Sequence, residues 1–232
     1  MWEVAMIIMN RVKTGTKGLD ELIEGGFPES SLILLAGHPG TGKTIMSWQF
    51  LVEGARNGER GLYISFIESP EEHIRNLLEV NINIQPYIEQ GLIEILELMP
   101  TLDKGLESTL NLIWQKIEEF KPKRIVLDSV TAILMVVPKP ESRVIVHLFK
   151  KVIRRFGCTA ILIVEVPVGR EDIGYSVEEF IADGIIFLRH YHTGHERLIK
   201  LDIIKMRGTN HSNLSHAVHI SNEGLEITGV AI

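Results

Sequence analysis

The chain has 232 residues, 45% of them apolar and 23% charged, which is enough to bury a full core in one domain. Its 30 acidic and 24 basic residues give a net charge of −6, which argues against a dedicated nucleic-acid binder, although the run KKVIRR at 150–155 is locally basic. The single cysteine, Cys158, excludes an internal disulfide, and no apolar run reaches the ~18 residues of a membrane span. We therefore expect a cytoplasmic protein with one domain over residues 1–232.

The first ten residues, MWEVAMIIMN, are apolar but too short for a membrane span, and they lack the basic leader of a secretory signal. We interpret them as a strand or a contact segment. Translation could equally start at Met6 or Met9.

Short β-branched runs then alternate with helical patterns. Strands are predicted at 31–37, 61–68, 92–98, 124–130 and 159–166, and helices at 42–54, 69–80, 105–120 and 141–156. This alternation predicts an α/β fold with a mainly parallel, twisted sheet and helices on both faces. Consecutive strands at 184–190, 197–206, 216–220 and 224–228 predict an antiparallel extension at one edge of that sheet.

The segment GHPGTGKT, residues 37–44, matches G-x-x-x-x-G-K-[ST] between a predicted strand and a predicted helix. We call it the phosphate cradle, because its glycines let successive N–H groups turn toward phosphate oxygens at a helix N-terminus. Lys43 is expected to reach the β- and γ-phosphates of ATP, and the Thr44 hydroxyl to bind Mg²⁺. The alternative is a structural glycine-rich turn, but Lys-Thr at a helix start serves no packing purpose.

Two carboxylates are predicted at the same edge of the sheet. Asp128 ends the strand RIVLD, and beside the cradle it would hold Mg²⁺, through water. Glu68 is expected at the end of the second strand, where it would activate water as a general base. Its alternative role is to stabilise the start of the next helix, for which Glu71 and Glu72 are better placed.

Together these residues resemble the RecA/RadA superfamily of ATPases, most closely its KaiC-like branch. The resemblance runs from RVKTGTKGLDELIEGGFPESSLILLAGHPGTGKT through VLDSVTAI and YSVEEFIADGIIFL to KMRGTNH, and so covers nearly the whole chain. It implies a RecA-type P-loop NTPase core in a homo-hexameric ring, with ATP between subunits. It also implies Asp128 as the metal-associated acid, Glu68 as the catalytic carboxylate, and phosphate contacts from Gly37, Pro39, Gly40, Thr41, Gly42, Lys43 and Thr44.

The resemblance gives the C-terminal segment KMRGTNH, residues 205–211, a role at the nucleotide of the neighbouring subunit. Lys205 and Arg207 would reach its γ-phosphate, and three further residues would border its base and ribose: Met206, Thr209 and His211. Ser221 and Asn222 resemble part of the same nucleotide edge.

The chain departs from this family pattern at two points. Many clock-type members have two adjacent acids where this chain has Ile67 and Glu68, which implies slow hydrolysis. The phosphorylated Ser-Thr pair of the circadian protein aligns with Glu179 and Phe180, which argues against clock-style autophosphorylation.

Three functions remain open. The first is a Mg²⁺-dependent, oligomeric ATPase with a regulatory or signalling role and an unidentified protein partner. The second is a recombinase paralog that binds single-stranded DNA, which is disfavoured because the candidate loops at 136–143 and 167–180 have few cations. The third is a nucleotide-binding scaffold without meaningful turnover.

Overall fold

The computed structural model describes residues 10–98, 105–134, 139–170 and 181–231, so the N-terminal segment 1–9 lies outside the described residues. The strands are β1 Arg11–Val12, β2 Phe27–Pro28, β3 Leu32–Gly37, β4 Gly61–Ser65, β5 Ile93–Glu97, β6 Arg124–Asp128, β7 Thr159–Glu165, β8 Gly184–Thr193, β9 Glu196–Met206, β10 His216–Ser221 and β11 Gly224–Val230. The helices are α1 Leu19–Leu22, α2 Lys43–Arg56, α3 Pro70–Leu78, α4 Gln85–Glu89, α5 Gly105–Phe120, α6 Val130–Leu134 and α7 Lys139–Phe156.

The described strands form a nine-stranded sheet with the order β11-β10-β9-β8-β3-β7-β6-β4-β5, beside a small ribbon of β1 and β2. Neighbours from β8 to β5 are parallel, and β9, β10 and β11 continue the sheet antiparallel. This arrangement confirms the predicted α/β fold with its antiparallel extension. Because parallel strands share one direction, β3, β4, β6, β7 and β8 all end at the same side of the sheet, which we call the carboxyl edge. The opposite side is the amino edge.

Helices cover both faces of the sheet, as predicted. On one face, Leu34 of β3 belongs to a buried cluster with Ile113 of α5 and Phe149 of α7. On the other face, Leu35 belongs to a second cluster with Trp48 of α2. This alternation along β3 is expected of a strand that is buried on both sides. Among the described helices, none is both long enough and apolar enough to cross a membrane.

The connection between β4 and α3 differs from the predicted strand at 61–68. The strand ends at Ser65, because the Ser65 hydroxyl bonds to the main-chain carbonyl and N–H of Glu68 at 2.7 and 3.2 Å and closes a turn. The helix α3 starts as its sequence predicts, since Ser69 and Glu72 form a reciprocal capping box. Glu68 therefore lies in a short turn between strand and helix, not on the strand itself.

A buried carboxylate organises the amino edge of the sheet. One oxygen of Asp183 lies 2.6 Å from the Lys150 ammonium, 3.3 Å from the Arg154 guanidinium and 3.7 Å from that of Arg207. Its other oxygen accepts the N–H of Leu32 at 3.2 Å. Lys150 is buried in this cluster, so only part of the basic run at 150–155 faces solvent.

Candidate active site at the carboxyl edge of the sheet

The phosphate cradle joins the end of β3 to the start of α2. Gly40 and Gly42 have φ angles of 74° and 89°, in the left-handed region that glycine enters without steric cost. A Cβ on Gly42 would also lie only 2.7 Å from a methyl group of Leu225. The Thr41 hydroxyl closes the loop by donating to the carbonyl of His38 at 2.8 Å. Each cradle glycine thus sits where a side chain would strain the backbone or clash.

Lys43 is the buried cation of the cradle. Its ammonium donates to the carbonyls of Gly37 and His38 at 3.0 and 2.9 Å. Burial lowers the pKa of Lys43, while the charges of Glu165 and Asp128 act in the opposite direction. Neutral carbonyls are weaker partners for an ammonium than phosphate oxygens are. The geometry therefore provides a cation at a helix N-terminus whose present partners an anionic ligand could replace.

Asp128 lies beside the cradle, at the end of β6. The Thr44 hydroxyl donates to Asp128 Oδ2 at 3.1 Å, and the Tyr63 hydroxyl donates to the same oxygen at 2.5 Å. Burial, and then the Asp128 charge, raise the pKa of Tyr63 well above its usual range, so Tyr63 stays a donor.

Thr44 and Asp128 suit a magnesium ion that arrives with a nucleotide. Hydroxyl and carboxylate oxygens are hard ligands, and Mg²⁺ usually completes its shell with waters and substrate phosphates. Within residues 10–98, 105–134, 139–170 and 181–231, no group of three or more His, Cys, Asp or Glu side chains could hold a metal ion. The donor set thus fits an ion that is shared with a ligand.

Glu68 reaches the same edge from the turn after β4, which pairs with β6 so that Ser65 lies opposite Asp128. Its side chain is 42% exposed, and Oε2 lies 3.3 Å from Nδ1 of His73. The neighbouring Ile67 is 70% exposed. Solvent therefore reaches the carboxylate, while α3 holds it on one side.

Three further residues of this edge are absent from the sequence predictions. Tyr63 lies in an apolar strand, and its partner Asp128 is 65 positions away. His73 is an ordinary-looking helix residue that the fold buries beneath Glu68. Glu165 ends β7 as Asp128 ends β6, so the same strand-end signal would have found it.

The segment 205–211 lies at the amino edge, away from the cradle. Met206 of β9 pairs with Gly184 of β8, which in turn pairs with Ile33 near the start of β3. The cradle begins at Gly37, four residues further along β3, a distance of ~13 Å at the usual rise per residue. Within one chain, the segment 205–211 is therefore not brought to the cradle.

Within this segment the side chains differ in exposure. Met206 is buried in the core, so any contact it makes with a ligand must use its main chain. The Thr209 hydroxyl accepts the guanidinium of Arg11 at 2.5 Å, and His211 Nδ1 lies 3.0 Å from the carbonyl of Ser212. Lys205 and His211 are partly exposed.

Ser221 lies at the carboxyl edge of the sheet, whereas the segment 205–211 lies at the amino edge. It ends β10, whose Ile220 side chain lies 2.8 Å from the Cβ position of Gly42 in the cradle. Its hydroxyl accepts the N–H of Glu223 in the turn to β11. The structure therefore places Ser221 beside its own cradle and apart from Arg207.

Some predicted features lie partly or wholly outside the described residues. The candidate DNA loops at 136–143 and 167–180 include residues 135–138 and 171–180, which the structure does not describe. The positions aligned with the phosphorylation pair, Glu179 and Phe180, fall in the second of these gaps.

The chain is similar to known proteins over nearly its whole length. A family model for the KaiC ATPase matches residues 12–231. A UPF0273 protein of Pyrococcus horikoshii is 35% identical over 229 residues, which cover 93% of this chain and 92% of that protein. The circadian clock oscillator protein KaiC of Parasynechococcus marenigrum is 30% identical over 238 residues, which cover 94% of this chain and 45% of KaiC.

A solved structure extends the comparison to the fold. The crystal structure of a KaiC-like protein from Pyrococcus horikoshii superposes with a TM-score of 0.85 and 32% sequence identity, covering 95% of this chain and 99% of that one. The residues that the family model matches include the cradle, Asp128, the Glu68 turn and the segment 205–211. The chain therefore belongs to the KaiC family of ATPase domains.

Proposed function

We propose that this protein binds ATP with Mg²⁺ and hydrolyses it to ADP and phosphate. The observation that carries the proposal is the assembly of Lys43, Thr44 and Asp128 around the start of α2. It combines a buried cation, a hydroxyl and a carboxylate where a helix N-terminus favours phosphate. Membership of the KaiC ATPase family supports the same ligand.

In the proposed reaction, Glu68 takes a proton from the attacking water as the water oxygen bonds to the γ-phosphorus. The bond from the γ-phosphorus to the bridging oxygen breaks, and its electron pair leaves with ADP. Lys43 and the cradle N–H groups balance the charge that develops on the phosphate oxygens. The Mg²⁺ held by Thr44 and Asp128 would neutralise part of the same charge.

We further propose that the ATP-binding site of each subunit is completed by a second subunit in a head-to-tail homo-hexamer. Support comes from the position of Lys205 and Arg207 at the amino edge, opposite the cradle of the same chain. A cation that assists hydrolysis from this edge must act on the ATP of another subunit. A closed ring gives every cradle such a neighbour. Thr209 and His211 would lie at the same contact, with Met206 contributing its main chain.

The biological role we propose is regulatory or signalling, in which the bound nucleotide sets the state of the ring. This proposal draws on the relation to the circadian clock oscillator protein KaiC. The single carboxylate Glu68, half exposed and preceded by Ile67, agrees with slow turnover.

Phosphate release tests the proposed function. The parent protein should release phosphate from ATP in the presence of Mg²⁺. This release should stop when a chelator removes the ion. Lys43→Ala should release none under either condition. Equal release by the parent and Lys43→Ala would overturn the proposal, as would a parent that binds ATP but never turns it over.

A further inference from the structure

His73 is a buried polar residue that contacts the proposed base. Its ring is 2% exposed and lies against the rings of Trp48 and Tyr63, with centroid distances of 5.5 and 4.7 Å. Both ring nitrogens nevertheless have polar partners. Nδ1 lies 3.3 Å from Oε2 of Glu68, and Nε2 lies 3.2 Å from the hydroxyl oxygen of Ser65. Both ring nitrogens thus contact residues of the turn that carries Glu68.

The protonation of this ring follows from its partners. Burial lowers the pKa of His73, while the carboxylates of Glu68, Asp128 and Glu72 act in the opposite direction. The ring is therefore neutral near pH 7, with one protonated nitrogen. An ionised carboxylate can only accept, so a hydrogen bond from His73 to Glu68 requires the proton to be on Nδ1. In that tautomer Nε2 is unprotonated and lies 3.2 Å from the oxygen of Ser65, whose hydroxyl donates to the Glu68 carbonyl at 2.7 Å.

We propose that His73 is a positioning residue for ATP hydrolysis, whose Nδ1–H holds Oε2 of Glu68 and leaves Oε1 to accept the proton of the attacking water. This inference rests on the proposed function, in which Glu68 is the base. Ser65 fixes the main chain of the same turn, so Glu68 is held from both β4 and α3. A misplacement of ~1 Å can cost ~10²-fold in rate, which is why a base on a turn needs such support.

Two substitutions of matched shape separate the hydrogen bond from packing. His73→Leu removes the donor, and kcat should fall ~10- to 100-fold while KM for ATP stays within ~2-fold. His73→Asn has the same branched shape, and its amide can donate where Nδ1 now stands, so it should retain most of kcat. His147→Leu on the exposed side of α7 is the control for loss of an imidazole, and it should match the parent.

A double-substitution cycle tests whether His73 acts through Glu68. In a Glu68→Gln background, His73→Leu should lower kcat by less than ~2-fold further, because the group that it positions is already disabled. A purely structural role would lower the rate in both backgrounds alike. The tautomer gives a readout that needs no turnover. In ¹⁵N-labelled protein without nucleotide, the His73 ring should show a protonated Nδ1 and an unprotonated Nε2, and the Nδ1 signal should shift in Glu68→Gln.

The outcomes distinguish this inference from the proposed function. An active parent with equally active His73→Leu overturns the role of His73 and leaves ATP hydrolysis standing. The proposed hydrogen bond from Nδ1–H to Glu68 is also overturned if His73→Leu loses kcat and His73→Asn does not retain it. A ring protonated at Nε2 alone overturns it in the same way. A parent that releases no phosphate overturns the proposed function and, with it, the role of His73.

Discussion

Thr44 and Asp128, 84 positions apart in the chain, share a hydrogen bond of 3.1 Å at the carboxyl edge of the sheet. The bond joins the first turn of α2 to the end of β6, and Tyr63 donates to the same carboxylate oxygen from β4. Two oxygen ligands suited to Mg²⁺ are therefore already in contact within the folded chain. A Mg²⁺ ion that arrives with a nucleotide would replace this hydrogen bond.

Lys43→Ala should abolish tight ATP binding, because the cradle loses its buried cation. Calorimetric titration with ATP and Mg²⁺ measures the change. Lys151→Ala, an exposed lysine of α7, is a matched control and should bind as the parent does. Unchanged affinity in Lys43→Ala would show that residues 37–44 are not the phosphate site.

Glu68→Gln should bind ATP normally and hydrolyse it ~10²-fold more slowly or worse, the usual scale for loss of a general base. The amide keeps the shape of the side chain and loses its basicity. Single-turnover phosphate release, with ATP bound to saturation, isolates the chemical step. If the variant matches the parent, the base lies elsewhere, and Glu165 at the end of β7 becomes the next candidate.

His73 should make stability depend on pH. Burial lowers its pKa in the folded state, so the unfolded chain takes up a proton at this position first, near its unperturbed pKa of ~6.5. The contribution of His73 to the free energy of unfolding is complete above that pH. It is lost as the pH falls, with a slope of at most ~1.4 kcal/mol per pH unit.

Urea unfolding of the parent and of His73→Asn, each at pH ~7.5 and ~5.5, measures this effect. The stability lost on acidification should be smaller in His73→Asn, because the amide does not titrate. Equal losses in the two proteins would mean that His73 titrates alike in the folded and unfolded states.

Asp183→Asn should destabilise the fold by ~3–5 kcal/mol, because it leaves the Lys150 ammonium buried without its charge partner. Arg154→Ala is the matched control, since its side chain is 60% exposed and should contribute no more than ~1 kcal/mol. Chemical denaturation of both variants measures the two losses in the free energy of unfolding. A loss below ~1 kcal/mol in Asp183→Asn would show that water reaches Lys150.

The parts of the site that depend on local spacing can be predicted from the sequence. The cradle needs fixed distances between glycines, Lys43 and Thr44, and the capping box needs Ser69 and Glu72 three residues apart. Asp128 follows from its position at the end of an apolar strand. Each of these signals lies within one element or one connection.

The contacts that depend on strand order cannot be predicted in this way. Tyr63 meets Asp128 only because β4 and β6 are neighbours, and no local pattern encodes that pairing. His73 contacts Glu68 because Ser65 ends the strand early and turns the chain into α3. The burial of Lys150 likewise requires Asp183, 33 positions away.

We propose that ATP bound in the cradle of one subunit is cleaved with help from Arg207 of the next. Arg207→Ala should bind ATP and hydrolyse it 10³–10⁵-fold more slowly, the usual effect of losing a cation supplied in trans. Lys43→Ala should be inactive for the opposite reason, since it retains Arg207 and has lost the cradle cation.

The decisive measurement is phosphate release after these two inactive variants are mixed in equal amounts under conditions of subunit exchange. In a head-to-tail ring, about a quarter of the interfaces would pair an intact cradle with an intact Arg207, so activity should return. Hydrolysis at the parent rate by Arg207→Ala alone would show that Arg207 does not assist cleavage. An absence of rescue in rings shown by labelled subunits to have exchanged would show that Arg207 does not act on the ATP of a neighbouring subunit.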